Sequence, residues 1–237
     1  MSRIIKTWRN PYDEGFTPTR PKQIEIQHGL TVLVGCNGAG KTTLLQNIQC
    51  ELKKENIPCY LYNNLHDRGS NSVGKAFLHE DYSLGATLLC SSEGETISYN
   101  MTILVSKMKN FIVNGEINDR DTQMTKAIAR LFNHDEDKEE IELSNERWLL
   151  LDSIDSGLSV DNVVEVLDVF NLMIDDAKSF GKELYIIVSA NEYELCRGNQ
   201  CFNVNSGKYI TFKDYEDYRK FILKSRERKN KRYEKTD

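Results

Sequence analysis

Apolar residues along the chain form several short runs rather than a single long one. Four largely apolar runs cover residues 30–34, 59–62, 148–151 and 184–188. A parallel strand that is buried on both faces has this continuous apolar pattern. Apolar residues also recur at helical spacing, most clearly in the segment 96–113. The pattern predicts an α/β fold with a mostly parallel core sheet.

Both ends of the chain add further elements to this prediction. Segments 4–8 and 23–26 contain alternating apolar residues, which predict the strands of a small antiparallel edge sheet. Segments 201–204 and 208–211 predict the last two strands, and a helix is predicted to begin near Lys213. We find no linker or repeat, so residues 1–237 are predicted to form a single domain.

A glycine-rich sequence, GCNGAGKTT at Gly35–Thr43, lies between the apolar run 30–34 and a helical segment. Its spacing is G-x-x-x-x-G-K-[ST], that of a P-loop, where backbone N–H groups and a helix N-terminus cradle phosphates. Lys41 then reaches the β- and γ-phosphates of ATP, and Thr42 places its hydroxyl on Mg²⁺. A plain glycine-rich turn is the alternative, but the flanking strand and helix favour nucleotide binding. The predicted ATP-binding residues are Gly35, Asn37, Gly38, Ala39, Gly40, Lys41, Thr42 and Thr43.

A second signal is the acid that ends the apolar run at residues 148–151, namely Asp152. In a P-loop fold, an acid at the carboxyl end of a neighbouring strand faces the phosphates and holds Mg²⁺. A core strand that happens to end in a polar residue is the alternative interpretation. Together with the P-loop, however, the pattern predicts a Mg²⁺ site made by Thr42 and Asp152.

These motifs resemble those of the ATP-binding cassette (ABC) ATPases. The segment Asp152–Ser159, DSIDSGLS, is similar to the family's D-E-P-x-S-G-L-D, and Ser91–Glu95, SSEGE, is similar to its signature L-S-G-G-Q. The resemblance implies an ABC-type P-loop NTPase with a helical signature lobe. It also implies a homodimer in which two chains sandwich ATP. The residues implied to act across that dimer are Ser92, Gly94, Glu95, Ser156 and Gly157.

Two catalytic positions of the family are changed in this chain. Ser153 stands where ABC enzymes carry the glutamate that activates water, and loss of a general base typically costs ~10²–10⁴ in rate. Asn191 occupies the region of the family's switch histidine. We therefore expect a slow ATPase or an ATP-gated switch, with Lys41, Asp152, Ser153 and Asn191 at the reaction centre. The alternative is an active ATPase in which Asp155 or Glu192 replaces the base.

The lengths of the segments between the motifs indicate which kind of ABC protein the chain resembles. Only a short segment separates the P-loop from the signature, whereas a transporter cassette usually carries a longer lobe there, so a transporter cassette is disfavoured. No clear match to the family's Q-loop follows the run 59–62. An insertion at about 114–145 precedes the strand of Asp152, and its acidic stretch 134–140 reads as a solvated loop. This insertion is a candidate docking site for a protein partner. The chain otherwise resembles a compact SMC-like head.

The C-terminal segment, about 213–237, is strongly basic although the formal net charge of the chain is −5. Residues 219–232 contain eight basic side chains and one acid, Glu227. A solvated helix is the plainer interpretation, and contact with nucleic acid is the functional one. A non-hydrolysing interaction module is a further alternative. The sequence shows no membrane segment, and its six cysteines are expected to be reduced thiols of a cytoplasmic protein.

Two aromatic residues near the N-terminus, Tyr12 and Phe16, are candidates for stacking on adenine, as in the ABC family. Packing in the core is the plainer role for both.

Overall fold

A computed structural model of the chain describes residues 2–6, 23–64, 83, 90, 93–116 and 144–233. Within helices, residues 93–99 and 232–233 are described by their backbone alone. Several predictions lie outside these ranges: Trp8, Tyr12, Phe16, the Ser91–Ser92 pair and most of the insertion at about 114–145, including the acidic stretch 134–140.

The described residues form strands and helices in alternation. The strands are β1 (Ser2–Lys6), β2 (Gln23–Gln27), β3 (Gly29–Val34), β4 (Cys59–Asn63), β5 (Glu146–Asp152), β6 (Glu183–Ser189), β7 (Cys201–Asn203) and β8 (Lys208–Ile210). The helices are α1 (Lys41–Lys54), α2 (Glu93–Asn114), α3 (Val160–Ser179) and α4 (Tyr215–Tyr233), with a 3₁₀ turn at Tyr193–Leu195. None of the described helices is long and apolar enough to cross a membrane.

The main sheet has six strands in the order β4-β5-β6-β3-β7-β8. All neighbouring pairs are parallel except β7 and β8, which pair antiparallel at the edge. Strands β1 and β2 form a separate antiparallel pair. The predicted α/β class, with a mostly parallel sheet and a small antiparallel sheet, is therefore confirmed.

Apolar layers cover both faces of the main sheet. On one face, Leu44 and Ile48 of α1 pack with Ile24 and Ile26 of β2 against the sheet. On the other face, α2, α3 and α4 form a second apolar cluster with side chains that include Phe111, Phe170 and Tyr218. Because both faces are covered, the central strands are buried throughout, which explains their continuous apolar sequences.

Helix α3 is an element that the sequence analysis does not predict. It follows Ser159, the residue at its N-cap, and its buried residues recur at spacings of three and four. Those residues are Val163, Val166, Phe170, Met173 and Ala177. The helical signal was present in the sequence, directly behind the segment that resembles the ABC motif.

The parallel strands determine where the predicted site residues lie. Strands β3, β4, β5 and β6 all run in the same direction, so their carboxyl ends meet at one edge of the sheet. Those ends lead into the P-loop, Asn63–Asn64, the turn after Asp152 and the loop after Ser189. The fold therefore brings together four segments that are far apart in the sequence.

Candidate nucleotide-binding site

The predicted P-loop forms a tight turn between β3 and α1. The Ala39 N–H donates to the Cys36 carbonyl at 2.9 Å. A Cβ added to Gly35 would lie 2.9 Å from the Ala39 Cβ, so only glycine fits there without a shift. The first turn of α1 carries no acid. The positive end of this helix is therefore not neutralised by its own first turn, which suits an anion.

Lys41 lies folded back against this loop. Its side chain is buried, and Nζ donates to the Gly35 carbonyl at 2.9 Å. Burial lowers the pKa of Lys41, while the carboxylates of Asp155 and Asp152 act in the opposite direction. An ammonium has three N–H donors, so the bond to Gly35 leaves donors for a phosphate. A bound anion would also favour the charged form of this buried amine.

The predicted Mg²⁺ ligands meet directly below the P-loop. The Thr42 hydroxyl donates to Asp152 Oδ2 at 2.8 Å, although 110 residues separate the two in the sequence. The Ser189 hydroxyl donates to Oδ1 of the same carboxylate at 2.7 Å. Asn63 Nδ2 lies 3.4 Å from Oδ2. Hydroxyl, carboxylate and amide oxygens are the hard ligands that Mg²⁺ prefers.

The number of carboxylates also fits Mg²⁺. No group of three or more His, Cys, Asp or Glu side chains with metal-binding geometry occurs among the described residues. Mg²⁺ at nucleotide sites needs only one or two carboxylates, because water and phosphate oxygens complete its shell. When bound, the ion would neutralise charge on the phosphates. Thr42 and Asp152 are the residues here that would hold it.

Two asparagines at the carboxyl end of β4, Asn63 and Asn64, belong to the site, although no Q-loop match was found there from the sequence. Asn63 pairs with Asp152 in the strand register, so it borders the metal ligands. Asn64 is buried, and its Nδ2 donates to the carbonyls of Ser153 at 2.9 Å and Ser156 at 3.1 Å. The available signal was a polar pair directly after a predicted parallel strand.

The turn that carries Ser153 is held from both sides. Ser153 has φ 54°, the left-handed region that side chains other than glycine rarely adopt. Its N–H donates to the Ser189 hydroxyl at 2.7 Å, and its carbonyl accepts from Asn64. Ser189 and Asn64 thus fix the backbone at Ser153, the position predicted from the sequence resemblance to correspond to the ABC family's glutamate.

Asp155 joins this turn to the loop after β6. The N–H groups of Asn191 and Glu192 donate to Oδ2 at 2.6 Å and 2.7 Å, and Asn191 Nδ2 lies 3.4 Å from Oδ1. Burial raises the pKa of Asp155, and the two N–H donors oppose that shift. The Asp155 carboxylate therefore anchors the segment that carries Asn191.

The segments predicted to act across a dimer are described only in part. Ser156 and Gly157 are exposed in the turn before α3, where a second chain has access to them. Gly94 and Glu95 lie in the first turn of α2, which begins at Glu93. Ser92 lies outside the described residues, so the signature geometry stays a prediction.

Helix α4 lies beside the P-loop. The Ser225 hydroxyl accepts from the Cys36 N–H at 3.2 Å, and Lys229 Nζ donates to the Asn37 carbonyl at 3.0 Å. The Tyr218 hydroxyl donates to the Asn191 carbonyl at 2.8 Å. A pocket of about 390 Å³ lies between the P-loop, the loop after β6 and this helix. None of these contacts of α4 was predicted from the sequence.

The basic residues of α4 face different surroundings. Arg226 and Lys229 line the pocket beside the P-loop, whereas Lys224 and Arg228 line a second pocket with Asn203 and other residues of the β7–β8 edge. Nucleic-acid contact through residues 219–232 stays a prediction.

Comparisons with known proteins identify no relative of this chain. A scan with protein-family models finds no match, and searches of curated proteins and of solved structures find none either. The function is therefore inferred from the motif residues and from their geometry.

Proposed function

We propose that this chain is an ABC-type ATP-binding protein that holds Mg-ATP in the P-loop of Gly35–Thr43. The observation that carries the proposal is the 2.8 Å contact between Thr42 and Asp152, below a P-loop whose helix end carries no acid. Two residues with predicted Mg²⁺ roles, distant in sequence, meet at the point where the motif requires them. A glycine-rich turn without a nucleotide role gives no reason for that pairing.

We further propose that hydrolysis is slow and that ATP acts as a switch. A serine hydroxyl is no base near neutral pH, and Ser153 occupies the position of the family's glutamate. Asp155, one of the two substitute bases considered from sequence, has its carboxylate engaged by backbone N–H groups. Glu192 is exposed, and its N–H is one of those donors.

The switch that we propose is an ATP-sandwiched homodimer. The exposed turn of Ser156 and Gly157 is followed by two exposed valines on α3, Val160 at 61% and Val164 at 44% exposure. Exposed apolar side chains beside an exposed turn favour an interface. Each nucleotide would then contact both chains, so dimer formation would depend on ATP.

Nucleotide affinity tests the first part of the proposal. We expect the wild-type chain to bind Mg-ATP and Lys41→Ala to bind it about 100-fold more weakly, because two charge-assisted contacts are lost. Lys54→Ala is the matched control, because Lys54 is an exposed lysine of the same helix. Titration calorimetry measures the ATP affinity of the wild type and of each variant. Equal ATP affinity in wild type and Lys41→Ala would refute the proposed site.

The effect of Mg²⁺ on ATP affinity tests the predicted metal ligands separately. We expect Mg²⁺ to strengthen ATP binding in the wild type and to do so about tenfold less in Asp152→Asn, because the amide lacks the carboxylate charge. Repeating the titration with and without Mg²⁺ measures this difference. An unchanged effect of Mg²⁺ would exclude Asp152 as a metal ligand.

Sedimentation velocity tests the dimer. We expect dimers with Mg-ATP and monomers without it, and we expect Val160→Asp to prevent dimer formation. Leu172→Asp is the control, because Leu172 is also exposed on α3 but lies roughly 18 Å further along the helix axis. Dimers that form equally without nucleotide would contradict the ATP-gated switch.

A further inference from the structure

One side of helix α4 forms a continuous stripe that reaches the P-loop. Tyr218, Ile222, Ser225 and Lys229 follow each other at spacings of three and four, so they share a face of the helix. Tyr218 packs in the apolar core, and Ser225 is buried. The next turn of the same stripe, with Arg226 beside Lys229, continues onto the P-loop.

The contact between α4 and the P-loop is close. Lys229 Nζ donates to the Asn37 carbonyl at 3.0 Å. A Cβ added to Gly38 would lie 3.3 Å from the same Nζ. The Cys36 N–H, in turn, donates to Ser225 of α4. Three consecutive residues of the P-loop turn, 36–38, therefore lie against one face of this helix.

The pocket between the two elements is positively charged. Its described lining includes Arg226 and Lys229 but no Asp or Glu. Arg226 has no hydrogen bond or ion pair with any described residue, whereas Arg219 on the same helix pairs with Glu216. The pocket volume of about 390 Å³ lies inside the roughly 300–1,000 Å³ range of small-ligand sites. These features suit an anionic group of a small ligand.

We infer that Arg226 and Lys229 bind the terminal phosphate of the nucleotide, so that α4 distinguishes a nucleoside triphosphate from a diphosphate within one chain. This inference rests on the proposed function. The pocket adjoins the outer turn of the P-loop and Asn191, which lies in the loop after β6 and is predicted to belong to the reaction centre. It therefore lies on the side to which the last phosphate is expected to extend.

The chemistry of the two side chains fits that role. A guanidinium donates to two phosphate oxygens at once, and such charge-assisted bonds are stronger than neutral ones. Lys229 now donates to a neutral carbonyl, and it has three donors. It can therefore keep its bond to Asn37 while it donates to a phosphate oxygen. The nucleotide would then connect α4 to the P-loop.

Separate affinities for Mg-ATP and Mg-ADP test this inference. We expect Arg226→Ala and Lys229→Ala each to weaken ATP binding by about tenfold to a hundredfold and to leave ADP binding within about twofold. Lys229→Arg, which keeps the charge, is expected to retain most of the preference for ATP. Lys220→Ala is the matched control, because Lys220 is exposed on α4 and does not line the pocket.

The outcomes separate the two proposals. Equal weakening of ATP and ADP, or no change in either, would overturn the role of α4 while Lys41→Ala still reports on the P-loop. If Lys41→Ala left ATP affinity unchanged, the proposed nucleotide site would fail and the inference with it. Thermal unfolding of each variant, compared with that of Lys220→Ala, shows whether a loss of affinity comes from loss of the fold.

Discussion

Two buried carboxylates at the same edge of the sheet have different partners. At the metal corner, which comprises Thr42 and Asp152 of the proposed Mg²⁺ site together with Ser189, the carboxylate accepts hydrogen bonds from hydroxyl side chains. At the switch corner, defined by Asp155, Asn191 and Glu192, the carboxylate accepts from backbone N–H groups. Asp152 ends β5, and Asp155 lies three residues later in the turn that follows the strand.

The kind of donor decides what each carboxylate is free to do. A hydroxyl proton can rotate, so Thr42 can turn its proton away and present an oxygen lone pair to a metal ion while Asp152 stays in place. A backbone N–H cannot rotate away unless its loop moves. The metal corner is therefore suited to accept a ligand, and the switch corner is suited to hold the loop of Asn191 in position. The following predictions test this difference.

The largest expected effect is a gain of ATP turnover in Ser153→Glu. A general base typically contributes ~10²–10⁴ in rate, and Ser153 directly follows Asp152 of the metal corner. We expect wild-type turnover to be close to that of Lys41→Ala and turnover of Ser153→Glu to rise above both. A steady-state phosphate-release assay measures the rates.

Ser153→Gln is the matched control for this gain, because glutamine has the shape of glutamate but no basic carboxylate. Both variants place a side chain of the same size at a position whose backbone has φ 54° in this chain, so any cost of that conformation is expected to be shared. Wild-type turnover well above that of Lys41→Ala would show that another group supplies the base. Asp155→Asn and a glutamine variant at Glu192 would then identify which.

The next largest effect is a loss of folding stability, which we expect to be greater at the switch corner than at the metal corner. Asp155→Ala leaves two partly buried backbone N–H groups, in the loop after β6, without their acceptor, at about 1–3 kcal/mol each. We expect it to lower the free energy of unfolding by about 3 kcal/mol. Asp152→Ala should cost under about 1 kcal/mol, because the hydroxyls of Thr42 and Ser189 can rotate to other acceptors.

Urea unfolding of both alanine variants without nucleotide measures these values. Equal losses of stability in the two variants would contradict the proposed difference, in which the metal corner binds a ligand and the switch corner stabilises the fold.

The smallest effect is the pH dependence that Asp155 confers. Burial raises the pKa of Asp155 above its ordinary value of 3.8, so the folded state holds this proton more tightly than the unfolded chain. Ionisation of Asp155 therefore weakens the fold as pH rises above 3.8. Asp155→Asn lacks this ionisation and keeps one carbonyl acceptor for the N–H donors.

We expect the stability of Asp155→Asn relative to wild type to increase as pH rises from about 4 to about 7. Urea unfolding at several pH values measures that difference, and other carboxylates cancel between the two proteins. A difference that stays constant with pH would show that Asp155 keeps an ordinary pKa in the fold.

Much of the fold could be predicted from local pattern. The four apolar runs predict β3 to β6, and burial on both faces explains the continuous runs of β3, β5 and β6. The glycine-rich spacing predicts the turn before α1. Helix α3 could have been predicted from its spacing and was missed. The class of enzyme, the nucleotide and the dimer stay predictions.

Some features of the site follow from the sequence, and others follow only from the packing of the whole chain. The sequence determined the glycine-rich turn, Lys41, and an acid at the end of a buried strand, because these depend on neighbouring residues. It did not determine that Asn63 borders Asp152, that Asp155 holds the loop of Asn191, or that Lys229 contacts Asn37. Each of those contacts joins segments brought together by the parallel sheet or by the packing of α4. Strand order and helix docking depend on how the whole core packs, and a linear pattern contains no distance between such segments.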